Sequence, residues 1–228
     1  MAKIGIINLS SLKDQVYEYL RHQMKRGEIR PDSVINMDST SKKLGVSKTP
    51  LRDALLQLEM EGFVTILPRR GVIVNKLTLQ DIKDYYQILG ALESTAIIAA
   101  SESLKTSDIK KMEKLNEGME RAIERDNFDA FYERNLIFHD VYINQAGNRM
   151  LRKTVDILKK RLYDFPRRKG YIKEWEETSI KEHQQLVNLL AEGKFLDAAN
   201  FIRDVHWSFK VQKKFIKKYY PIEEKNEG

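Results

Sequence analysis

The run Leu44-Gly45-Val46-Ser47-Lys48-Thr49-Pro50-Leu51-Arg52-Asp53-Ala54-Leu55 constrains the fold more than any other stretch, because it holds a turn, a helix start and a two-faced helix. Gly45 supplies the backbone freedom that a tight turn between two helices needs, and Ser47 is placed to cap the second helix by accepting from its first-turn amides. Pro50 then falls in that first turn, where a missing amide costs nothing. Leu51, Leu55 and Leu58 recur at helical spacing and face a core, while Lys48 and Arg52, four apart, share a different face that suits a major groove. This is a helix-turn-helix pattern. Gly62 ends the second helix, and Phe63 to Leu67 and Val72 to Val74 are β-prone runs around Pro68-Arg69-Arg70-Gly71. They form a hairpin, or wing, whose basic tip can lie on phosphates beside the groove.

Turn, Ser-Lys-Thr-Pro, Arg52 and wing fall in the order seen in the winged-helix domain of the GntR family of bacterial transcription regulators, which residues 11 to 75 resemble. The resemblance implies DNA contacts at Ser47, Lys48, Thr49, Arg52, Arg69, Arg70 and Gly71. Two positions depart from the family pattern. Lys48 stands where Arg is usual, and an ammonium lacks the planar fork that reads guanine, so base selectivity should soften more than affinity. Thr40 and Ser41 stand where Leu and Ala are common, so the first helix of the motif, roughly Ser39 to Leu44, is expected to pack less tightly.

A chain of 228 residues suits two compact domains. Residues 1–76 are expected to be the winged helix-turn-helix, residues 77–220 an all-α domain, and residues 221–228 a polar tail, disordered from Glu223 to Gly228, making the protein mainly α. Residues 1–76 carry thirteen Lys or Arg against eight Asp or Glu, whereas the remainder carries 27 against 25. Most of the net +7 therefore sits with the DNA reader, as a polyanionic partner requires. The chain has no cysteine, which excludes disulfides and thiolate metal sites. The start lacks the pattern of a signal peptide, and the most apolar stretch, near Ala91 to Ala100, is interrupted by Glu93. The expectation is a soluble cytoplasmic protein without a membrane partner.

From Thr78 onward helical periods dominate, predicting helices near Leu79 to Ser103, Ser107 to Glu124, Phe128 to Gln145, Arg149 to Arg168, Glu174 to Ala191 and Phe195 to Lys218. Gly147, Gly170 and Gly193 punctuate three of the connections. In the first of these helices Ile82, Leu89, Leu92, Ala96 and Ala99 are expected to line a core or a partner helix, and Tyr85, Tyr86, Phe131, Phe138, Tyr142 and Trp207 read as core aromatics. His183 has Ile180 three before it and Val187 four after it, and His206 has Ile202 four before it and Phe209 three after it. His139 stacks one turn beyond Asn135 and has Tyr142 three after it. Three imidazoles directed into one bundle each need a polar partner, and a shared metal ion would satisfy one nitrogen on every ring.

Phe138-His139, the Ala146-Gly147-Asn148 break, Glu182-His183 and the Asp197-Ala198 to His206 spacing match in order the FCD ligand-sensing domain of the FadR subfamily within GntR. That resemblance implies metal ligands at Asn135, His139, His183 and His206, with Asn135 standing where the family has Asp. A carboxamide brings no negative charge, so metal affinity should fall while an anionic effector is favoured. Imidazole-rich ligation suits zinc or nickel. Leu89 stands where many relatives carry Arg, which leaves the grip on an effector carboxylate unassigned. The resemblance implies a homodimeric repressor that binds an inverted-repeat DNA operator and responds to a small organic acid. Two other readings fit parts of the pattern: a metal-dependent enzyme using the three histidines, which lacks a placed general base because Asp140 and Glu182 point about 100° away from their histidine neighbours, and a DNA binder without a sensor.

Overall fold

The computed structural model describes residues 11–164 and 172–220, and they divide into two compact units. The first contains α1 (Leu12–Lys25), β1 (Val34–Ile35), α2 (Met37–Leu44), α3 (Lys48–Met60), β2 (Val64–Leu67) and β3 (Gly71–Val74). Ser11 and Asp14 form a reciprocal cap on α1, and the Asn36 side chain accepts from the amides of Asp38 and Ser39 at the start of α2. Gly45 ends α2 at φ +66°, a left-handed turn that brings α3 in at an angle. Leu51, Ala54, Leu55 and Leu58 of α3 are buried against Val16, Tyr17, Leu20 and Met24 of α1 and against Phe63, Val64, Val72 and Val74 of the wing. In α2 the fully buried position is Ser41, whose hydroxyl donates to the Asp38 carbonyl, so this helix contributes little apolar area of its own.

The wing is an antiparallel pair, with Val64 opposite Val74 and Leu67 opposite Gly71. Its other edge is covered by β1, where Val34 pairs with Ile73 and Ile35 with Val72, giving the order β1-β3-β2. The two-residue strand β1 is an addition to the hairpin that the sequence pattern suggested. Residues 160–164 also belong to this unit: Arg161 donates to the carbonyls of Asn75 and Lys76, and Arg21 Nε lies 3.0 Å from Asp164 Oδ2.

The second unit is all α among its described residues: α4 (Leu79–Ala99), α5 (Thr106–Glu124), α6 (Phe128–Gln145), α7 (Arg149–Tyr163) up to Lys159, α8 (Lys173–Ala191), α9 (Phe195–Phe201) and α10 (Phe209–Tyr219). Thr78 and Asp81 cap α4 reciprocally, and Gly147 and Gly193 take positive φ in their turns. Ile82, Leu89 and Ala96 are buried on α4 together with Tyr86, Gly90 and Ile97, whereas Leu92 is half-buried and Ala99 exposed. Helix α4 also ends four residues early. The Ser103 hydroxyl, beyond its end, donates to the Gln145 carbonyl instead of continuing the helix.

The predicted helix from Phe195 to Lys218 is broken. Between α9 and α10 the segment Ile202–His206 is a π-helical turn, closed by a Trp207 amide bond to the carbonyl of Ile202, five residues back. One extra residue in the turn rotates everything after it relative to an ideal α-helix. Of the sequence expectations, Gly170, the end of the fourth helix near Arg168 and the tail 221–228 lie outside the described residues.

Candidate metal centre and nucleic-acid interface

His139 on α6, His183 on α8 and His206 on the π-helical turn come together, with ring centroids 5.2, 5.0 and 5.0 Å apart in pairs. One ring nitrogen from each lies within 4.8 Å of the others. Nitrogens bound tetrahedrally at about 2.0–2.1 Å sit about 3.4 Å apart, so small rotations of the rings close the set. The π-helical turn allows this approach. Gly90 of α4 faces it so closely that a Cβ there would lie 3.2 Å from Trp207 Cβ and 3.3 Å from the Arg203 backbone. A larger residue at 90 would push His206 away from its two partners.

Carboxylates orient two of the three rings. Glu93 Oε2 lies 2.8 Å from His139 Nδ1 and also accepts from the Tyr142 hydroxyl, itself 2.7 Å from that nitrogen. Glu182 Oε2 lies 2.8 Å from His206 Nδ1. An ionised carboxylate can only accept, so each Nδ1 carries the proton and each Nε2 presents a lone pair. Glu182 is held in turn by Gln212 Nε2 at 3.0 Å, and Gln212 Oε1 accepts from the Trp175 indole at 2.9 Å.

The lone pair on His139 Nε2 has nothing to meet. His139 Nε2, both nitrogens of His183 and Asn135 Oδ1 are buried without a hydrogen-bond partner among the described residues. Each bare buried polar atom costs about 1–3 kcal/mol, and a cation at the centre of the three rings would remove that cost for one nitrogen on each ring. Asn135 stands one turn before His139 on the same face of α6, where its bare oxygen could serve as a fourth donor. One unprotonated nitrogen from each of three clustered imidazoles fits a divalent metal.

The electrostatics keep two of the rings, His139 and His183, in their metal-binding form. Burial, reinforced by the Lys159 ammonium, pushes His139 down to about 3 against the opposing pull of Glu93. Burial and the neighbouring His206 and His139 likewise hold His183 well below the usual imidazole range. Burial alone would raise Glu93, but Lys159 and His139 outweigh it and keep the carboxyl ionised, well below its ordinary value.

Glu93, Tyr142, Lys159, Glu182 and Gln212 take part in this network and were not assigned to the site from sequence. Tyr142 is thus more than a core aromatic. Two of these carry a readable signal, a charge at a core position. Glu93 falls four after Leu89 and three before Ala96, and Lys159 falls four after Val155 and three before Leu162, all buried. Glu182 adjoins a histidine in sequence yet serves a different one, 24 residues away.

In the first unit Ser47, Lys48, Thr49 and Arg52 lie exposed on the start of α3, and Arg69 and Arg70 are exposed at the wing tip. Ser47 occupies the cap position but makes no capping bond. Pro50, the third helical residue, has no amide to offer, which removes one of the two usual donors, and the serine hydroxyl is left for another acceptor or donor. Lys48 pairs with Asp38 from the first turn of α2, an exposed contact worth no more than about 1 kcal/mol and easily given up to a phosphate. At the wing tip the Arg70 amide bonds to the Leu67 carbonyl, with Pro68 leading the turn and Arg69 at φ +63°. A side chain in the left-handed region costs roughly 1–2 kcal/mol, so the tip carries a cation where glycine would be unstrained. Gly71, at φ +97°, packs against Val34 with no room to spare.

Comparison with known proteins agrees with both units. Residues 12–74 match the bacterial regulatory proteins of the gntR family, and residues 84–205 match the FCD domain. The chain is 28% identical over 174 residues to the HTH-type transcriptional regulator YdhC of Bacillus subtilis (strain 168), covering 75% of this chain and 77% of that one. It is 27% identical over 148 residues to the HTH-type transcriptional repressor RspR of Escherichia coli (strain K12), covering 65% of each. Its fold is shared by E. coli McbR/YncC, with a TM-score of 0.67 and 21% identity over 92% of this chain and 97% of that one. A GntR regulator from Rhodococcus sp. RHA1 gives 0.69 and 15% over 92% and 100%. Among the described residues no helix is long and apolar enough to cross a membrane.

Proposed function

The chain belongs to the gntR family of bacterial regulatory proteins and carries an FCD domain, and from that premise we propose a homodimeric, cytoplasmic repressor whose hold on an inverted-repeat DNA operator is set by a small organic acid bound beside a divalent metal. The observation that carries the sensor half is the cluster of His139, His183 and His206, with buried nitrogens of His139 and His183 and the oxygen of Asn135 left without hydrogen-bond partners among the described residues. Zinc or nickel suits this donor set. Bound there, the metal supplies a Lewis-acidic site for a carboxylate. Relatives in both comparisons are transcriptional regulators and not enzymes. Glu93 and Glu182, the carboxylates that contact the imidazoles, are both committed to ring Nδ1 atoms, which leaves neither to activate a water.

The reader half rests on Ser47, Lys48, Thr49 and Arg52 entering the major groove while Arg69, Arg70 and Gly71 sit on flanking phosphates. Two-fold symmetry of the protein would be mirrored by the operator. Acid binding then changes operator affinity by a coupling free energy that DNA returns to the acid in equal measure.

Selection of duplexes from a random pool should yield a short inverted repeat. Adding an organic acid to metal-loaded protein should weaken binding to that repeat by at least about tenfold in a mobility-shift titration, within the usual range of coupling energies. A repeat bound equally with every acid tested, with metal loaded, would remove the sensor from this account.

Asn135→Asp provides a second check, with two readouts moving in opposite directions. The added carboxylate lowers the charge of the loaded site from +2 to +1. Retention of metal under chelator challenge should improve by roughly tenfold or more, and acid affinity should fall. Equal or weaker retention would refute the charge argument.

A further inference from the structure

Of the three imidazoles, His206 has the least support from its own element. His139 and His183 lie within long helices and are fully buried, whereas His206 ends a five-residue π-helical turn and keeps 10% of its side chain exposed. What holds it comes from the next helix. Gln212, one turn into α10, is buried at a core position with Phe215 and Ile216. Its Nε2 offers two hydrogens and has two acceptors, Glu182 Oε1 at 3.0 Å and, at a longer 3.4 Å, the carbonyl of Val205, the residue before His206. Glu182 Oε2 in turn lies 2.8 Å from His206 Nδ1. Gln212 therefore grips His206 twice, through the carboxylate that orients its ring and through the backbone just ahead of it. The direction of the amide is fixed from its other end. An indole N–H can only donate, so Trp175, with Nε1 2.9 Å from Gln212 Oε1, takes the oxygen and leaves the NH2 for Glu182.

We propose that Gln212 is the positioning residue for His206, and that through it the occupancy of the metal site is tied to the docking of α10. This rests on the metal reading above and assigns a residue and a helix to it. Glu182 needs the support. It is buried, and among the described residues its one ion-pair partner is His206, whereas Glu93 also has Lys159. With Gln212 removed, Oε1 of Glu182 loses its donor, and the carboxylate is free to turn away from the ring it orients. The far end of the chain is anchored on the same helix: the Trp175 ring stacks on Phe215 with centroids 5.6 Å apart and meets Tyr219 edge-on at 5.3 Å. Binding at His206 thus bears on α10 through Gln212 directly and on the start of α8 through Trp175. A leucine or methionine at 212 would fill the same core space; an amide with three partners is explained by what it holds.

The test uses zinc and the full chain, with affinity read by competition against a chromogenic chelator and amide hydrogen exchange followed over α10 with and without the metal. Gln212→Met keeps the length of the side chain and loses its hydrogen bonds; zinc affinity should fall roughly 10-fold or more, as for other orienting partners of metal-bound histidines. Trp175→Phe keeps the stacking, loses the N–H, and should weaken zinc a few-fold. Because both act through one chain, the double variant should bind zinc no more weakly than Gln212→Met alone, a coupling that two separate packing defects would not show. In wild type zinc should slow exchange across α10, and in Gln212→Met this protection should vanish even at zinc concentrations that saturate the variant. If Gln212→Met fails to fold, Trp175→Phe carries both readouts, with weaker zinc binding and reduced α10 protection expected together. Variants that bind zinc as tightly as wild type, effects that simply add, or an α10 indifferent to zinc would overturn this assignment and leave the metal site intact. A wild type that binds no zinc, nickel, iron or manganese would overturn both.

Discussion

His183→Leu should abolish stable metal loading. Of the three imidazoles, His183 is the one with both nitrogens bare and no carboxylate behind it, so its only polar role among the described residues is to face the site. Loss of one ring from the donor set should lower metal affinity by more than about 100-fold, beyond the 10–100-fold typical of losing an orienting partner. The measurement is metal content after dialysis against a chelator, with His22→Ala, an exposed histidine on α1, as the control that keeps wild-type loading. Stability gives a second, crossed readout. At a metal concentration 100 times its dissociation constant, wild type gains about 2.7 kcal/mol from binding, whereas the variant gains nothing. Without metal the order should narrow or invert, because the leucine replaces a buried ring whose nitrogens go unsatisfied. A variant that keeps its metal, or a wild type whose melting point ignores metal, would show that the triad is a packed core feature.

How much of this could be read before the fold was known depends on how local each signal is. Gly45, Pro50 and the Leu51, Leu55, Leu58 stripe act over a few residues, and α2, α3 and the wing lie where those residues put them. Strand β1 is two residues long and exists only because the edge of β3 is free to accept Val34 and Ile35. No periodicity announces such a strand. The π-helical turn is harder still, since the residues from Phe195 onward suit a continuous helix. The extra residue at Ile202–His206 is accommodated by contact with Gly90, far away in the chain. The histidines stood out as polar groups on apolar stripes. Their orienting carboxylates did not, because the Glu93–His139 and Glu182–His206 pairs are made between helices and nothing in the local pattern links them. Ser47 shows the opposite failure: a residue suited to capping, at the capping position, makes no capping bond, and the proline three positions on lacks one of the two amides it could have used.

Arg52→Ala should produce the largest change in DNA recognition. Its side chain is exposed on the second turn of α3, one turn beyond Lys48, and forms no ion pair or hydrogen bond among the described residues, so folding should be unaffected to within about 0.5 kcal/mol. A two-pronged arginine contact to guanine contributes about 1–3 kcal/mol of discrimination, and a dimer on an inverted repeat makes it twice. The specific affinity should therefore fall by roughly 30-fold to 10⁴-fold, while binding to unrelated duplex changes far less. Arg70→Ala at the wing tip supplies the contrast. If it sits on a phosphate, affinity for operator and unrelated DNA should fall together, and the slope of log affinity against log salt should become shallower by about 0.9 for each subunit's lost contact. Arg52→Ala should leave that slope nearly unchanged, since a base contact displaces no condensed counterion. Mobility-shift titrations of both variants over a salt series, on operator and on scrambled duplex, separate the two roles. If Arg52→Ala lowers the slope and weakens both duplexes alike, α3 lies on the backbone and base reading must be sought elsewhere on the first unit.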